Sequence, residues 1–446
     1  MIQESNFQSA PAELRPPLPV LGQSAAPGRP AVPALNGVPR SIFREQALLA
    51  KMAWRGLTSL SPRLAWKVAY NFAFKGLMAI RAYKKRLERG ELYPPFMFIA
   101  LTNTCNLRCQ GCWVEKEGTA HFLSVDDLHR LIESGKRQNA YYYTLLGGEP
   151  FLHKGIWDLF RRHSDCYFQV ITNGMLFTED NVRRLKEVGN VTPLISLDGF
   201  ESENDRRRGT GVFEAASVGL ARLKEAKILF GIATTATGLN MHEVMSDEYA
   251  QHFIDAGAMY MWYYVYRPMS EAPHTEYCVS KEQLIWMRKR LLELRRTKPL
   301  FIIDTYWTET GEAFCPAAMG LGFHVGPQGS IEICPALSFA SETIFDYDDN
   351  GDHYKTFNES AFLRGFQQFV VERTKGCVIL EHPQELHDYI EESGASDYSG
   401  RGTAFSELNA ISPRNSHHLP GEEIPEDFWL YRFFKRSAFF GMGAIG

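Results

Sequence analysis

Apolar runs of six to nine residues alternate with amphipathic segments along the chain from residue 96 onward. Buried strands that alternate with helices indicate a parallel sheet with helices outside it. Six such units predict an α/β fold built as a partial (β/α)6 barrel over residues 96–305. The predicted strands are FMFIAL (96–101), YYYTLL (141–146), YFQVIT (167–172), TPLISL (192–197), ILFGIATTA (228–236) and MYMWYYVY (259–266), with helices at 124–138, 155–164 and 179–188 between them.

The segment before the barrel has a different pattern. Residues 1–40 are rich in proline and predict a disordered tail. Residues 41–95 predict basic amphipathic helices, because residues 41–90 hold eleven Lys or Arg against two Glu. A helix start at Ser61 and Pro62 is followed by two stripes at steps of four. One stripe is aromatic (Trp66, Tyr70, Phe74) and the other is polar (Arg63, Lys67, Asn71, Lys75).

Composition narrows the class of protein only modestly. The chain has 446 residues, of which 45% are hydrophobic and 22% charged, as in ordinary globular proteins. A net charge of -4 gives no reason to expect nucleic-acid binding. The N-terminal sequence has no pattern of a secretory signal, and no uncharged apolar run approaches ~18 residues, so we expect a cytoplasmic protein.

Three of the eight cysteines lie within eight positions. Cys105, Cys109 and Cys112 form a C-x3-C-x2-C motif directly after the first predicted strand. A structural zinc site needs four protein ligands, and the next candidate ligand is His121. Three thiolates on one loop can instead hold three irons of a [4Fe-4S] cluster and leave the fourth iron open. The motif therefore favours an iron-sulfur cluster over zinc or buried thiols.

The motif resembles the signature of the radical S-adenosylmethionine (SAM) superfamily. The resemblance covers about residues 96–300 and includes GGEP after the second strand, SLDG after the fourth and RGTGVF from Arg208. It implies an enzyme in which Cys105, Cys109 and Cys112 bind the catalytic [4Fe-4S] cluster. It also implies reductive cleavage of SAM to a 5'-deoxyadenosyl radical, with a flavodoxin or ferredoxin-type electron donor. The residues expected to hold SAM are Gly147, Gly148, Glu149, Asn173, Ser196, Asp198 and Arg208.

Some of these residues have ordinary alternative explanations. Glu149 could be a helix N-terminal charge, and Ser196, Asp198 and Arg208 could serve in capping or surface ion pairs. The family usually has an aromatic residue before the third cysteine, near the adenine, whereas this chain has Gly111. We expect Trp113 or a barrel residue to take over part of that packing.

A second cysteine set follows the barrel. Cys315, Gly329 and Cys334 resemble the opening C-x9-15-G-x4-C of the SPASM and twitch auxiliary-cluster domains, which implies such an extension over residues 306–400. With Cys377 as a third metal ligand, the resemblance implies a second iron-sulfur cluster. The alternatives are a fourth ligand from His382 or His387, or a domain without a cluster. Cys166 and Cys278 lie outside both sets and are expected to be core or surface thiols.

The two ends of the chain favour a lipid or other membrane-associated metabolite as substrate. Residues 41–95 and the aromatic-basic tail at 401–446 have the composition of segments that lie on the inner face of a membrane, although a helical lid on the barrel is the simpler alternative. Tyr266 and Arg267, at the end of the sixth strand, could meet a polar substrate group. The alternative within enzymes is maturation of a ribosomally synthesised peptide or protein side chain. The alternative of another class is a non-catalytic iron-sulfur carrier or sensor.

Overall fold

The computed structural model describes residues 42–115, 118–270, 273–304, 307–416 and 421–437. The predicted tail at residues 1–40 lies outside the described residues, as do residues 438–446 of the predicted C-terminal tail. A unit spanning Val32–Gly446 contains all the described residues.

A nine-stranded, mostly parallel sheet forms the centre of the described chain, which confirms the α/β prediction. The strand order is β7-β6-β5-β4-β3-β2-β1-β8-β9. Strands β1 to β8 pair in parallel, and β9 returns antiparallel beside β8. The strands are β1 Met97–Thr102, β2 Tyr142–Gly147, β3 Tyr167–Thr172, β4 Val191–Ser196, β5 Gly231–Ala236, β6 Tyr260–Val265, β7 Phe301–Ile303, β8 His324–Val325 and β9 Ile331–Glu332.

Strands β1 to β6 are the six that the apolar runs predict. Three further strands extend the sheet at its two edges, and they are only two or three residues long. Runs that short carry no periodic pattern, which is why the sequence did not indicate them. A separate antiparallel pair joins β10 Phe339–Ala340 to β11 Ser396–Asp397.

Helices cover the outer face of the sheet. Serine or threonine side chains cap several of them, since Ser124, Thr178, Ser246 and Ser280 each accept a hydrogen bond from a backbone N–H in the first turn. The helices are α1 Ile42–Ser59, α2 Pro62–Lys67, α3 Lys75–Glu88, α4 Val125–Arg137, α5 Ile156–Arg162, α6 Glu179–Val188, α7 Glu201–Arg208, α8 Val212–Glu225, α9 Met241–Val244, α10 Asp247–Ala256, α11 Lys281–Thr297, α12 Tyr354–Glu359, α13 Ala361–Arg373, α14 Val378–Glu381, α15 Pro383–Glu392, α16 Ala404–Asn409 and α17 Trp429–Ser437. Four short segments are a π-helical segment at Val68–Phe74 and 3-10 turns at Pro150–Leu152, Thr275–Tyr277 and Ala317–Met319.

Alternate side chains of each strand enter two hydrophobic layers. In β1, Met97 and Ile99 pack into the layer under the helices, whereas Phe98 points into the concave inner layer. In β2, Tyr143 and Leu145 face the helices while Tyr142 and Leu146 face inward. This period of two is expected of strands that are covered on both faces.

The amino ends of the strands are closed by the N-terminal helices. The ring of Phe72, in the π-helical segment, lies 5.3 Å from that of Tyr142 and 5.7 Å from that of Tyr167, which are the first residues of β2 and β3. The inner space is therefore open toward the carboxyl ends of the strands. In the part of the chain that the structure describes, we find no helix with the length and apolar character needed to cross a bilayer.

Candidate active site

A cavity of about 310 Å³ lies at the carboxyl ends of the strands. Its walls come from the loop after β1, from the ends of β2 to β6, and from the chain after β7. The inner walls are largely apolar and include Phe98, Leu146, Ile171, Trp262, Phe314 and Leu321. Both predicted cysteine sets line this same cavity.

The first cysteine set lies on the loop that follows β1. Cys105, Cys109 and Cys112 are all partly buried. The backbone N–H of Cys112 bonds to the carbonyl of Cys109 at 3.4 Å, and the N–H of Gln110 bonds to the carbonyl of Arg207 at 2.9 Å. The end of α7 therefore holds this loop over the cavity.

The two glycines after β2 allow the cysteine loop to approach closely. A Cβ atom on Gly147 would lie 2.3 Å from the carbonyl oxygen of Thr102, and one on Gly148 would lie 2.1 Å from that of Thr104. The N–H of Gly148 donates to the Thr102 oxygen at 2.7 Å. Both glycines line the cavity, so their backbone is available to a ligand there.

Glu149 lies behind the cavity wall and does not line it. Its carboxylate accepts hydrogen bonds from the N–H of Phe151 at 3.1 Å, the hydroxyl of Thr172 at 2.8 Å and the N–H of Asn173 at 2.9 Å. Complete burial raises the pKa of Glu149 to about 7, although these three hydrogen bonds act in the opposite direction. The side chain therefore ties the end of β2 to the end of β3.

Asp198 also lies behind the wall, where it holds two arginines. Its carboxylate binds Arg207, and the Nε of Arg208 at 2.7 Å. Burial raises the pKa of Asp198, but the charges of Arg208 and Arg207 outweigh this effect and hold the pKa at about 2. Ser196, Arg207 and Arg208 line the cavity. Asp198 therefore presents a pair of guanidinium groups to the cavity.

Arg207 was not among the residues predicted from the sequence. The available signal was the run RRR at residues 206–208 in the last turn of α7, which did not reveal that Arg207 turns inward beside the predicted Arg208. Thr172 and Thr235, at or near the ends of β3 and β5, also line the cavity and were not predicted.

Asn173 lines the cavity directly after β3. Its amide donates to the Oδ1 of Asn106 at 2.7 Å, and its own Oδ1 accepts the N–H of Met175 at 3.0 Å. Because Asn106 lies between two of the cysteines in the first motif, Asn173 links the cysteine loop to the third strand.

Tyr266 fills the space beside Gly111. Gly111 has φ of +65°, and a Cβ atom there would lie 2.7 Å from the Tyr266 hydroxyl oxygen. Tyr266 is buried, lines the cavity and packs edge-on against Tyr277 at 5.4 Å. Trp113 also lines the cavity and is more exposed. The ring of Tyr266, a barrel residue, thus occupies the space into which a side chain at residue 111 would project.

The second cysteine set lies on the part of the cavity wall that the chain after β7 forms. Cys315 precedes the turn Ala317–Met319, Cys334 follows β9 and Cys377 precedes α14. Gly329, with φ of +83°, lies in the turn between β8 and β9. Burial, together with the neighbouring Cys377, raises the pKa of Cys315 to about 11 and that of Cys334 to about 12. The Nε of Arg267 donates to the Cys377 sulfur at 2.9 Å.

The alternative fourth ligands lie elsewhere. His382 pairs with Glu385 at 3.0 Å and His387 with Asp388 at 3.1 Å, and neither histidine lines the cavity. Cys166 is buried in the main core, and Cys278 is buried in a small cluster with Tyr266 and Tyr277.

The spacing of the sulfur atoms bears on which metal group could bind. Among the described residues, neither cysteine set belongs to a group whose ligand atoms all lie within 4.8 Å of one another. A single tetrahedral zinc ion, with Zn–S bonds of about 2.3 Å, requires sulfurs about 4 Å apart. Each cysteine set offers three thiols at the cavity, a donor set with which different irons of an iron-sulfur cubane are bound.

Comparisons with known proteins agree with this geometry. Residues 99–253 match the family model described as Radical SAM superfamily. The chain is 30% identical to the Fe-coproporphyrin III synthase of Methanosarcina barkeri over 34% of this chain and 39% of that protein. It is also 30% identical to the sporulation killing factor maturation protein SkfB of Bacillus subtilis, over 36% of this chain and 40% of that protein. These matches thus span about two fifths of the relatives' length.

The fold is similar to that of SuiB from Streptococcus suis. Its structure bound to the precursor peptide SuiA superposes with a TM-score of 0.53 at 16% identity, covering 67% of this chain and 72% of that one. Its structure bound to S-adenosylmethionine gives a TM-score of 0.54 at 16% identity, with 66% and 72% coverage. Residues 99–253, which include the cysteine loop and strands β2 to β5, are thus the part of the chain that is similar to the Radical SAM superfamily.

Proposed function

We propose that the chain is a radical SAM enzyme that activates a carbon-hydrogen bond of its substrate. The observation that carries the proposal is a single cavity lined by Cys105, Cys109 and Cys112 together with Gly147, Gly148, Ser196 and Arg208. A [4Fe-4S] cluster held by Cys105, Cys109 and Cys112 would supply the electron for reductive cleavage of SAM to a 5'-deoxyadenosyl radical. A flavodoxin or ferredoxin-type protein would supply that electron in a cytoplasmic setting.

The residues of this chain bind and orient the cosubstrate. Arg207 and Arg208, fixed by Asp198, offer two guanidinium groups for a carboxylate. The cavity-lining backbone of Gly147 and Gly148 is available to an amino group. Glu149 supports this backbone from behind, and Asn173 ties it to the cysteine loop. The apolar walls exclude water from a reactive radical.

A second iron-sulfur cluster is proposed at Cys315, Cys334 and Cys377, in an SPASM or twitch-like region at about residues 306–400. Burial keeps these thiols protonated in the free protein, so binding would release protons as the metal takes thiolates. Arg267 would neutralise part of the thiolate charge through Cys377.

Two substrate classes remain, and the relatives favour maturation of a peptide or protein side chain. SkfB is named a maturation protein, and SuiB was solved with a precursor peptide. The apolar inner wall formed by Phe98, Leu146, Trp262 and Phe314 favours an apolar, lipid-like substrate as the second candidate. Comparing peptides and extractable lipids of a deletion strain with those of the parent would separate the two, because only one pool should gain an unmodified precursor.

Anaerobic reconstitution tests the proposed activity. The iron-loaded protein should convert SAM to 5'-deoxyadenosine under strong reductant, and the Cys109→Ala variant should not. A Cys166→Ala variant is the control, because that buried thiol lies in the core away from the cavity. An iron-loaded protein that releases no nucleoside would be a carrier or sensor instead, and zinc in place of iron would end the proposal.

Iron counting tests the second cluster. A variant with Cys105, Cys109 and Cys112 all changed to Ala should retain about four irons per chain if the second site holds a cubane. Adding Cys334→Ala to that variant should remove them. A triple variant that retains no iron would show that the second cysteine set binds no cluster.

A further inference from the structure

Exposed apolar side chains are concentrated on the terminal helices. Of the sixteen large hydrophobic side chains exposed in the described part of the chain, nine lie on α1, α2, the π-helical segment, α3 and α17. They are Phe43, Trp54, Leu57, Trp66, Tyr70, Phe74, Met78, Trp429 and Phe433. We call them the aromatic surface. Such a concentration is unusual for a surface that faces only water.

The polar stripe of these helices faces the protein. Lys67 donates to the carbonyl of Val188 at 3.2 Å, Asn71 to that of Ser164 at 3.0 Å and Lys75 to that of Asp165 at 2.7 Å. Positive groups at the carboxyl ends of α5 and α6 complement the helix dipoles there. On an ordinary surface helix the polar stripe faces water. On these helices the polar stripe binds the barrel instead.

The aromatic stripe consequently faces outward. Trp66, Tyr70 and Phe74 are 68%, 44% and 53% exposed. Their rings form a column, with centroids 5.9 and 5.7 Å apart and planes within 10° of parallel. A π-helix has more residues per turn than an α-helix, so residues four apart stay close to one face. The π-helical segment at Val68–Phe74 therefore keeps the three rings in line.

The charges around the aromatic surface have one dominant sign. The exposed charged residues on the same helices are Arg44, Lys51, Arg63, Arg81, Lys85, Arg432 and Arg436, against the single acid Glu88. The helices are joined to one another, since Leu48 of α1 packs with Tyr431 of α17, and Lys84 of α3 donates to the carbonyl of Arg436 at 3.0 Å. The helices that carry the aromatic surface therefore expose mostly positive charge.

We propose that the aromatic surface docks on an anionic lipid bilayer. Aromatic rings suit the depth of the headgroups, and the surrounding Lys and Arg side chains attract anionic phospholipids. A second copy of the chain fits less well, because a symmetric contact would place these positive groups against one another. The proposal is independent of the proposed chemistry, since the residues of the aromatic surface do not line the cavity.

Flotation with liposomes tests the proposal on the full-length chain. Vesicles of phosphatidylcholine alone are compared with vesicles of equal parts phosphatidylcholine and phosphatidylglycerol. The wild type should float with the mixed vesicles, and a Trp66→Ser, Tyr70→Ser, Phe74→Ser variant should bind about tenfold less. An Arg81→Glu, Lys85→Glu variant should lose a similar factor, and high salt should release the wild type.

A Val218→Ser, Val371→Ser variant is the matched control, because it removes exposed apolar side chains elsewhere and should float like the wild type. The triple Ser variant should cleave SAM at the wild-type rate in vesicle-free buffer, which separates this proposal from the proposed function. Several outcomes would overturn docking: no flotation of the wild type, equal flotation of the triple Ser variant, or equal binding to both vesicle types. A wild-type dimer that the triple Ser variant abolishes, without flotation, would assign the surface to a second copy.

Discussion

At the scale of single residues, the site depends on backbone atoms that come unusually close. Gly148 lies where the carbonyl oxygens of Asn103 and Thr104 leave no space for a Cβ atom. Neighbouring backbone cannot rotate away as a flexible side chain can. The cysteine loop and the β2 end must therefore move apart if this residue gains a side chain.

We expect Gly148→Ala to lower the free energy of unfolding by about 1–3 kcal/mol and to reduce iron loading at the first cysteine set. Gly118→Ala, on the loop after β1, is the control, because its Cβ atom would meet its neighbours at an ordinary 3.6 Å. Urea unfolding and iron assay check the pair. Equal iron content in the two variants would contradict the expectation.

The buried carboxyl of Glu149 should make stability depend on pH. Its pKa is raised in the folded protein from the ordinary 4.5 to about 7, so the folded state binds the proton more tightly than the unfolded state does. Its contribution to the free energy of unfolding is greatest below pH 4.5, falls as the pH rises to about 7, and is constant above that.

Relative to a Glu149→Gln variant, the wild type should lose roughly 3 kcal/mol of stability between pH 4.5 and pH 8. Denaturant unfolding across this range measures the difference, because groups common to both proteins cancel. Glu214→Gln, which changes an exposed side chain, should follow the wild-type curve. Parallel curves for Glu149→Gln and the wild type would show that the carboxyl titrates normally.

The sequence indicated the cysteines and glycines of the candidate site, because a fixed residue spacing and a requirement for glycine are both visible in the residue types. It indicated Arg208 but not Arg207, because which further guanidinium reaches Asp198 depends on how α7 packs. The relation of Tyr266 to Gly111 was also hidden. These residues are 155 positions apart in the chain and meet only after the barrel forms.

At the scale of elements, the polar stripe on the N-terminal helices adds hydrogen bonds to their apolar contact with the barrel. Asn71 is buried, and its amide satisfies the carbonyls of Ser164 and Cys166 at 3.0 and 3.4 Å. The sequence showed the two stripes but not their orientation, since a helix with an aromatic face and a polar face can attach by either. The carbonyl groups at the carboxyl ends of α5 and α6 determine which face packs on the barrel, because they accept hydrogen bonds from the polar stripe.

Asn71→Ala should destabilise the protein by about 1–3 kcal/mol, because the hydrogen bonds of the buried Asn71 amide to the carbonyls of Ser164 and Cys166 are lost. Ala73→Ser, on the exposed side of the same segment, should change stability by less than about 0.5 kcal/mol. Thermal unfolding of both variants makes the measurement. A larger effect from Ala73→Ser than from Asn71→Ala would contradict the packing of the polar stripe against the barrel.

At the scale of the whole molecule, the chain's late segment is anchored by buried ions beside β7. Arg288 and Arg295 of α11 lie between Asp304 and Glu426, and Lys435 of α17 binds Asp304 at 3.0 Å. Burial lowers the pKa of Lys435 to about 8 despite this partner. Residues more than a hundred positions apart thus form one network, which no local pattern in the sequence could indicate.

Glu426→Gln should cost about 3–5 kcal/mol, because Arg288 and Arg295 would lose a buried counter-charge. Glu309→Gln, which breaks a surface pair with Arg436, should cost at most about 1 kcal/mol. Differential scanning calorimetry should show a much larger fall in Tm for the first variant. Similar falls for both would mean that the buried network contributes no more than a surface ion pair.

The closure of the strands' amino ends by Phe72 has a kinetic consequence. Because aromatic rings pack across that end, all ligands enter the cavity from the opposite end, where both cysteine sets lie. A small ligand that binds deep in the cavity must bind before a large ligand covers it. The small ligand can dissociate only after the large ligand has left. Steady-state measurements should accordingly follow a compulsory order of addition, with dead-end inhibition whenever the bulkier ligand enters first.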